Sequence, residues 1–238
     1  MKTVNQHQKN RKIWAIIPAA GTGSRFSKTE LKQYQIIQDQ TVLEHTIERL
    51  NDLPLTGYVL AIGEQDQYAQ TLPLKNKQIS HFCLGGAERV NSVLNALNYL
   101  EQFAQADDLV FVHDAARPCV TKQCLEDLIQ TAIEQNCSAI LAIPVRDTLK
   151  FVENQRDIHK TVSREQLWQA QTPQISTFAT LKKAIETALE NDVVITDEAS
   201  ALEHIGEVVQ VVMGRSDNIK ITYQDDLELA RLILQSQQ

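Results

Sequence analysis

The sequence Ile13-Trp-Ala-Ile-Ile-Pro-Ala-Ala-Gly-Thr-Gly-Ser-Arg-Phe-Ser-Lys-Thr-Glu-Leu-Lys32 joins an apolar run to a glycine loop and two cations. Its apolar beginning predicts a buried strand that ends at the proline. Gly21 and Gly23 follow, and a loop without large side chains lets a ligand approach the backbone amides closely. Such amides, together with nearby Arg25 and Lys32, favour phosphate. The loop therefore predicts a site for a phosphate compound.

Length, composition and charge exclude several classes of protein. The chain has 238 residues, 43% of them hydrophobic, and a formal net charge of −7. This content is ample for a core, and the acidic balance argues against a non-specific nucleic-acid binder. Apolar runs stay below the roughly 20 residues that cross a bilayer, and the polar start lacks the apolar segment of a signal peptide. We expect one domain, residues 1–238, with neither nucleic acid nor membrane as partner.

The cysteines indicate a reducing compartment. Cys83, Cys119, Cys124 and Cys137 form no C-x-x-C pair, the spacing typical of zinc and redox sites. Structural thiols in a cytoplasmic protein are the simpler interpretation.

Strands alternate with helices along most of the chain. Apolar runs predict strands at 58–62, 79–84, 108–113, 139–145 and 208–213, in addition to the first. Helical spacing of apolar residues predicts helices at 41–50, 65–70, 88–100, 121–135 and 177–190, another from Thr196, and a terminal one. This alternation is typical of an α/β fold with a doubly wound, mostly parallel sheet of the Rossmann-like type. Loops that follow its strands should converge on one edge.

Residues 146–166 interrupt this alternation of strands and helices. Segments 148–152 and 158–162 predict a β-hairpin around the polar turn 153–157. An isolated hairpin is marginally stable, so we expect this arm to pack on a second subunit and form a homodimer. The polar residues 171–174 then predict a turn that brings the chain back.

The glycine loop differs from two well-known phosphate loops. Phe26 occupies the position of the third glycine in the G-x-G-x-x-G fingerprint, which argues against a dinucleotide. The G-x-x-x-x-G-K-[ST] motif is absent as well. Considered alone, the loop is equally compatible with a plain strand-to-helix turn that carries solvated cations.

Polar residues later in the chain also allow two interpretations. Asp114 and Arg117 follow a predicted strand and could bind a metal, a ribose or a phosphate, or could form a local ion pair. His113 is interpreted as a strand-end residue rather than a general base. Asp197 and Glu198 could bind a metal, but a charged first helical turn explains them equally well.

Five ordered motifs together resemble one enzyme family. They are 18–25 with 32–34 (PAAGTGSR and KQY), 112–118 (VHDAARP), 144–150 (PVRDTLK), 196–202 (TDEASAL) and 217–220 (DNIK). This set is similar to the nucleotidyltransferases that attach CMP to 2-C-methyl-D-erythritol 4-phosphate in the non-mevalonate isoprenoid pathway. The resemblance extends from about residue 13 to the end of the chain, and the combination is far more specific than any single motif.

The resemblance implies a CTP site and an acceptor site. The residues implied for CTP are Pro18, Ala19, Ala20, Gly21, Gly23, Gly85, Gly86, Ser92, Asp114 and Ala115, with Arg25 and Lys32 as the catalytic cations. Those implied for the acceptor are Arg117, Thr148, Arg164, Thr172, Asp217 and Lys220, some reaching it from the partner subunit through the arm. The implied cofactor is Mg²⁺ or another divalent cation, held mostly by CTP phosphates and near Asp114. Two positions depart from the family pattern: Ala87, where aspartate is common, and Ser24, where many relatives carry a second basic residue.

The implied reaction is the transfer of CMP from CTP to 2-C-methyl-D-erythritol 4-phosphate, with release of pyrophosphate. Two alternatives remain at this stage. One is a cytidylyltransferase for another polyol phosphate, such as ribitol 5-phosphate. The other is a non-catalytic nucleotide-binding protein, against which Arg25, Lys32 and Lys220 argue.

Overall fold

The computed structural model describes residues 11–23, 25–27, 29–154 and 156–238, so that Ser24 of the glycine loop lies outside the described residues. The strands are β1 (Ile13–Pro18), β2 (Ile36–Ile37), β3 (Gln40–Thr41), β4 (Gly57–Ile62), β5 (Ser80–Leu84), β6 (Leu109–Val112), β7 (Ser138–Pro144), β8 (Leu149–Asn154), β9 (Asp157–Val162), β10 (Trp168–Thr177) and β11 (Val209–Met213). The α-helices are α1 (Val42–Leu50), α2 (Tyr68–Thr71), α3 (Arg89–Leu100), α4 (Lys122–Gln135), α5 (Phe178–Glu190), α6 (Glu198–His204) and α7 (Asp225–Ser236).

A seven-stranded sheet organises the fold, in the order β11-β7-β10-β6-β1-β4-β5. β1 lies near its centre, where Ile16 pairs with Val59 of β4 on one side and with Val112 of β6 on the other. The strands are parallel except β10, which runs antiparallel to both β6 and β7. The predicted doubly wound, mostly parallel α/β sheet is confirmed.

Helices cover both faces of this sheet. Ala15 and Ile17 of β1 face a core that contains apolar residues of α1 and α4. Trp14 and Ile16 face the opposite core, which contains residues of α3 and α5. Because side chains alternate along a strand and both faces are buried, β1 reads as a continuous apolar run. None of the described helices is long and apolar enough to span a membrane.

The turn predicted at residues 171–174 is wrong. These residues lie inside β10, whose pairing register with β7 shifts between Ala170 and Gln174. Such an irregularity accommodates Pro173, which cannot donate a ladder hydrogen bond. The polar residues that suggested a turn are buried there, because neighbouring loops supply their hydrogen-bond partners.

Two smaller predictions also change. The helix expected at 65–70 is the single turn of α2, since Asp66 caps the amides of Tyr68 and Ala69 instead of continuing a helix from residue 65. The pair β2–β3 was not predicted, because two-residue strands carry no periodic signal. The remaining predicted helices and strands are present, with ends that differ by a few residues.

The predicted hairpin at residues 146–166 is present. β8 and β9 pair antiparallel and form a two-stranded sheet of their own. Apolar Phe151 and Ile158 are exposed there, at 47% and 61% of their possible surface. An exposed apolar hairpin is what an arm that packs on a second subunit requires, although its partner stays a prediction.

Candidate active site

The loops that follow β1, β5 and β6 converge on one cleft, as predicted. The cleft has a volume of about 300 Å³. The predicted residues that line it are Pro18, Ala19, Ala20, Gly21, Lys32, Gly86, Ser92, Asp114, Ala115 and Lys220. Most of these come from short loops with small side chains, so that much of the wall is backbone.

Close packing between two loops explains the glycine pair after β5. A Cβ atom on Gly85 would lie 2.3 Å from the Cβ atom of Ala20, and one on Gly86 would lie 2.3 Å from that of Asn91. Both distances are far below van der Waals contact, so neither position accommodates a side chain without a shift. The amide of Gly86 donates to the hydroxyl of Ser92, 3.0 Å away, and this bond holds the turn against α3.

Lys32 is the predicted catalytic cation that lines the cleft. Gly23 adopts a φ of +63°, which L-residues rarely adopt, and the aliphatic stem of Lys32 packs against it. The Lys32 ammonium donates to the carbonyl of Ile221, 3.0 Å away. Burial, and then the nearby charge of Lys220, lower its pKa to about 8. Arg25, the other predicted catalytic cation, is exposed and does not line the cleft.

A second cavity, of about 200 Å³, adjoins the first. Three of the residues predicted to bind the acceptor line it, namely Arg117, Thr172 and Lys220. Arg89, Asp114 and Lys220 line both cavities. These three residues therefore form the wall that the two cavities share.

Asp114 is the centre of an ion-pair cluster. The local pair with Arg117 that the sequence suggested is present, at 3.6 Å. Lys220 also lies 2.7 Å from its carboxylate, and Arg89 lies 2.9 Å from it. Burial by itself would raise the pKa of Asp114, but the three cations outweigh burial and hold that pKa well below its usual range.

The fold places Lys220 beside Asp114. The segment before α7 is pinned by a hydrogen bond of 2.9 Å from the amide of Ile221 to the carbonyl of Ala116. Ile221 is buried in an apolar cluster with Ala230 and Leu234 of α7. The apolar face of the last helix therefore anchors a residue of the site.

Arg89 was not predicted. It begins α3, and its guanidinium bridges Asp114 and Glu198. A cation in the first turn of a helix gives no signal by itself, because most such residues are solvated. The available clue was its position shortly after the glycine pair 85–86.

The two acidic residues at the start of α6 form different contacts. Asp197 is the N-cap, and its carboxylate accepts from the amide of Ser200 at 3.0 Å, as the helical-turn interpretation expects. Glu198 is 97% buried, and both of its oxygens accept from Arg89. The alternative of a metal pair is not supported, because these carboxylates are directed to different partners.

Buried hydrogen bonds assign the tautomer of His113. Its Nε2 lies 3.1 Å from the carbonyl oxygen of Arg117, which can only accept, so this nitrogen carries the proton. Burial lowers the pKa of His113 to about 4, so the ring is neutral near pH 7. Its Nδ1 then accepts from the hydroxyl of Thr172 at 2.9 Å, and the same hydroxyl accepts from the amide of Asp114. His113 and Thr172 thus hold the loop that carries Asp114, and His113 is in no position to act as a general base.

The other predicted acceptor residues lie outside both cavities of the single chain. Thr148 and Arg164 are exposed at the base of the arm. Asp217 binds Arg215 at 2.6 Å beside a separate depression. The structure therefore brings together Arg117, Thr172 and Lys220 but not these three.

Asp114 is a carboxylate in the wall of the cleft that is predicted to hold the phosphates. Both of its oxygens bind cations of the chain, and the described residues contain no cluster of three or more potential metal ligands. Mg²⁺ commonly takes one or two carboxylates together with substrate phosphates. The donor set therefore fits a cation that arrives with a triphosphate, rather than one held by protein alone.

Comparison with known proteins agrees with the resemblance of the motifs. The model of the family described as 2-C-methyl-D-erythritol 4-phosphate cytidylyltransferase (IspD) matches residues 13–236. A protein of that name from Acinetobacter baumannii (strain SDF) is 71% identical over 237 residues, which is 100% of each chain.

Solved structures give the same result. The Francisella tularensis 2-C-methyl-D-erythritol 4-phosphate cytidylyltransferase has a TM-score of 0.80 and 39% identity, over 93% of this chain and 99% of that one. A 4-diphosphocytidyl-2C-methyl-D-erythritol synthase has a TM-score of 0.81 and 36% identity, over 94% and 98%. The chain belongs to the 2-C-methyl-D-erythritol 4-phosphate cytidylyltransferase family.

Proposed function

We propose that each of the two adjoining cavities binds one of the two substrates of the reaction that this family catalyses. The chain is a CTP-dependent cytidylyltransferase that transfers CMP to 2-C-methyl-D-erythritol 4-phosphate in isoprenoid precursor biosynthesis. CTP occupies the cleft beside the glycine loop, and the acceptor phosphate occupies the cavity beside Arg117 and Lys220. The observation that carries this division is the shared wall of Arg89, Asp114 and Lys220.

The chemical step is an in-line displacement at phosphorus. An oxygen of the acceptor phosphate forms a bond to the α-phosphorus of CTP while the bond from that phosphorus to the bridging oxygen of pyrophosphate breaks. The electron pair leaves with pyrophosphate. A phosphate monoester is already largely ionised near pH 7, so no general base is needed, in agreement with the neutral, buried His113.

The obstacle to this step is electrostatic, because two anions must approach each other. Lys32 and Arg25 stabilise the charge that develops on the triphosphate, together with the amides of the glycine loop. Lys220 and Arg117 hold the acceptor phosphate. Arg117 is fixed beside the acceptor cavity, because its Nε lies 3.6 Å from Oδ2 of Asp114 and its Nη1 donates to the carbonyl of Asn218 at 2.6 Å.

A divalent cation, Mg²⁺, would be held mainly by CTP phosphates, with Asp114 as the protein ligand. It would neutralise phosphate charge when bound. Asp114 holds Lys220 and Arg89 in the ligand-free chain, so it would have to share its oxygens. Removal of divalent ions with a chelator should abolish turnover, and titration of Mg²⁺ should restore it.

Cytosine is read by the turn that contains Gly85 and Gly86. Ala87 stands where aspartate is common in the family, so this chain reads the base by backbone atoms rather than by a carboxylate at that position. The amides of Gly85 and Gly86 donate to the carbonyl of Ile62 and to the hydroxyl of Ser92, and these two bonds fix the turn.

The arm forms a homodimer and completes the site of the neighbouring subunit through Thr148 and Arg164. Both residues are exposed and outside the cavities of their own chain, and the arm carries exposed apolar side chains. Deletion of residues 150–160 should therefore give a monomer with poor activity. Sedimentation velocity measures this, and an unchanged dimer would contradict the role of the arm.

A cytoplasmic location suits this assignment. CTP is made inside the cell, and all four cysteines are free thiols, which persist in a reducing compartment. Fractionation of cells that produce the tagged chain would test the location.

The decisive experiment is a pyrophosphate-release assay with each of the four NTPs and with two acceptors. We expect release with CTP and 2-C-methyl-D-erythritol 4-phosphate. Faster turnover with ribitol 5-phosphate would instead indicate that the acceptor is a different polyol phosphate. Absence of release with every pair would indicate a protein that binds nucleotide without catalysis.

A further inference from the structure

We propose that Arg89, held by Glu198, is a positioning residue that determines where Asp114 and the ammonium group of Lys220 lie at the junction of the two cavities. The inference rests on the proposed function, because it assigns the acceptor phosphate to Lys220. It concerns Arg89 and Glu198, which belong to α3 and α6 rather than to the glycine loop.

Glu198 provides the fixed end of the arrangement. Its side chain is 3% exposed, and its two oxygens accept from Nη1 and Nη2 of Arg89 at 2.6 and 3.0 Å. Among the described residues its carboxylate forms hydrogen bonds with no other side chain. A buried carboxylate is costly unless it is paired, and paired geometry of this kind fixes the plane of the guanidinium.

Arg89 transmits that orientation to Asp114. The third of its hydrogen bonds runs from Nε to Oδ1 of Asp114, at 2.9 Å. The three donors belong to one rigid planar group, so the direction of the Nε–H follows from the two bonds to Glu198. Helices α3 and α6 and the end of β6 are thus joined at a single guanidinium.

Asp114 in turn holds the ammonium of Lys220. Its second oxygen, Oδ2, lies 2.7 Å from Nζ of Lys220, whose side chain is 36% exposed. Among the described residues, Asp114 is the carboxylate that forms a salt bridge with Lys220. The order Glu198, Arg89, Asp114, Lys220 alternates negative and positive charge, and each group fixes the next.

The contribution of Arg89 is geometric rather than a matter of net charge. Its positive charge faces two buried carboxylates, so little remains to attract substrate anions. Lys220 differs, because it has one carboxylate partner and is partly open to the cavities. A shift of Lys220 would misplace the acceptor phosphate relative to the α-phosphorus, and a misplacement of about 1 Å can reduce a rate about 10²-fold.

Arg89→Lys separates geometry from charge. It keeps the positive charge, but one ammonium cannot reproduce two bonds to Glu198 and a third to Asp114. We expect kcat/KM for the acceptor to fall about 10²-fold, with a smaller change in KM for CTP, because Arg89 and Asp114 line both cavities. Wild-type kinetic constants in this variant would overturn the proposal.

Glu198→Gln distinguishes positioning from attraction by charge, because the two explanations predict opposite changes in KM for the acceptor. If Arg89 attracted substrate by its charge, removal of the negative partner would strengthen binding of the acceptor. Positioning predicts the reverse, a higher KM for the acceptor and a lower kcat, because the amide nitrogen of glutamine cannot accept the second bond from the guanidinium. A lower KM for the acceptor would overturn the proposal. Glu198→Gln also carries the test if Arg89→Lys does not fold.

Asp108→Asn is the matched control for loss of stability. Asp108 is a buried carboxylate that precedes the first residue of β6, whereas Asp114 follows the last one. It accepts hydrogen bonds from Nε1 of Trp14 at 3.3 Å and from the amide of Gln105 at 2.9 Å. We expect it to lower the melting temperature while leaving kcat and KM unchanged. Equal kinetic losses in Asp108→Asn would assign the effect to stability and overturn positioning.

A second readout does not depend on turnover. The rate at which Lys220 reacts with an amine-acylating reagent, followed by mass spectrometry of its peptide, should rise in Arg89→Lys and stay unchanged in Asp108→Asn. Equal protection of Lys220 in wild type and Arg89→Lys would overturn the proposal even if the wild-type chain transferred no CMP. An inactive wild-type chain would instead contradict the proposed function alone.

Discussion

The two adjoining cavities are built in different ways. Small side chains and backbone form the wall of the nucleotide cavity, with Ala19, Ala20, Gly21 and Gly86 among its residues. The acceptor cavity contains three cations that pair with Asp114, namely Arg89, Arg117 and Lys220. One cavity offers amides to an anion, and the other offers cations whose places are set by carboxylates.

This difference indicates how each of the two cavities recognises phosphate. In the nucleotide cavity, Lys32 bonds to a backbone carbonyl, so its positive charge is available to the triphosphate. In the acceptor cavity the cations are partly neutralised before the ligand arrives, so that geometry matters more than total charge. Removal of charge should therefore have its largest effect on the nucleotide side.

The largest expected effect is that of Lys32→Ala. We expect turnover to fall by at least about 10²–10³, because one preorganised contact with the developing phosphate charge is lost. Arg25→Ala should cause a loss of the same size, although Arg25 is exposed in the ligand-free chain. Steady-state pyrophosphate release measures both, with circular dichroism to verify folding.

Lys122→Ala is the control for this pair, since Lys122 is a surface lysine of α4 that pairs with Glu126 at 3.6 Å. It should leave turnover unchanged. Wild-type turnover in Lys32→Ala or in Arg25→Ala would remove the corresponding residue from the catalytic assignment.

A smaller effect is expected from Gly85→Ala, which tests whether the nucleotide wall depends on bare backbone. The added methyl group would lie 2.3 Å from the Cβ atom of Ala20. Overpacking of this kind costs about 1–3 kcal/mol. We expect this cost to raise KM for CTP roughly tenfold or more, with little change in KM for the acceptor.

Gly63→Ala is the matched control, because its added methyl group would meet only ordinary contact, 3.9 Å from the Cβ atom of Asp66. It should leave both KM values unchanged. An unchanged KM for CTP in Gly85→Ala would show that the two loops can separate, contrary to the close packing proposed for the wall.

The smallest effect is the pH dependence of CTP capture. The pKa of Lys32 in the ligand-free chain is lowered to about 8, first by burial and then by Lys220. The protonated form is the one that attracts triphosphate, so kcat/KM for CTP should be level below that pH. Above about pH 8 it should fall by about tenfold per pH unit, because kcat/KM reports ionisations of the free enzyme.

Lys32→Arg sharpens this measurement. Arginine stays protonated throughout the range, so the decline near pH 8 should disappear even if the overall rate is lower. A decline at the same pH in both proteins would assign the ionisation to another group.

Local patterns predicted much of the fold and of the nucleotide cavity. Strand β1, the glycine loop and Lys32 are contiguous or nearly so, and an apolar run followed by glycine has a direct structural meaning. The same reasoning brought Asp114 and the glycine pair after β5 to one edge, because the carboxyl ends of parallel strands meet there.

Other features depended on partners that are distant in the chain. The polar residues of β10 suggested a turn, because their burial depends on hydrogen bonds to loops elsewhere, such as that from Gln171 to the carbonyl of Arg215. The ion pairs of Arg89 gave no local pattern, because its partners lie 25 and 109 residues away.

The sequence by itself therefore determined the α/β architecture, the family and the phosphate-binding loop, because periodicity and short motifs act over neighbouring residues. The tertiary structure alone decided that Asp114 is shared by Arg89, Arg117 and Lys220, and that β10 runs antiparallel through the sheet. The physical reason is that the pKa of a buried carboxylate, and the position of the cation it holds, depend on every charge that folding brings near it.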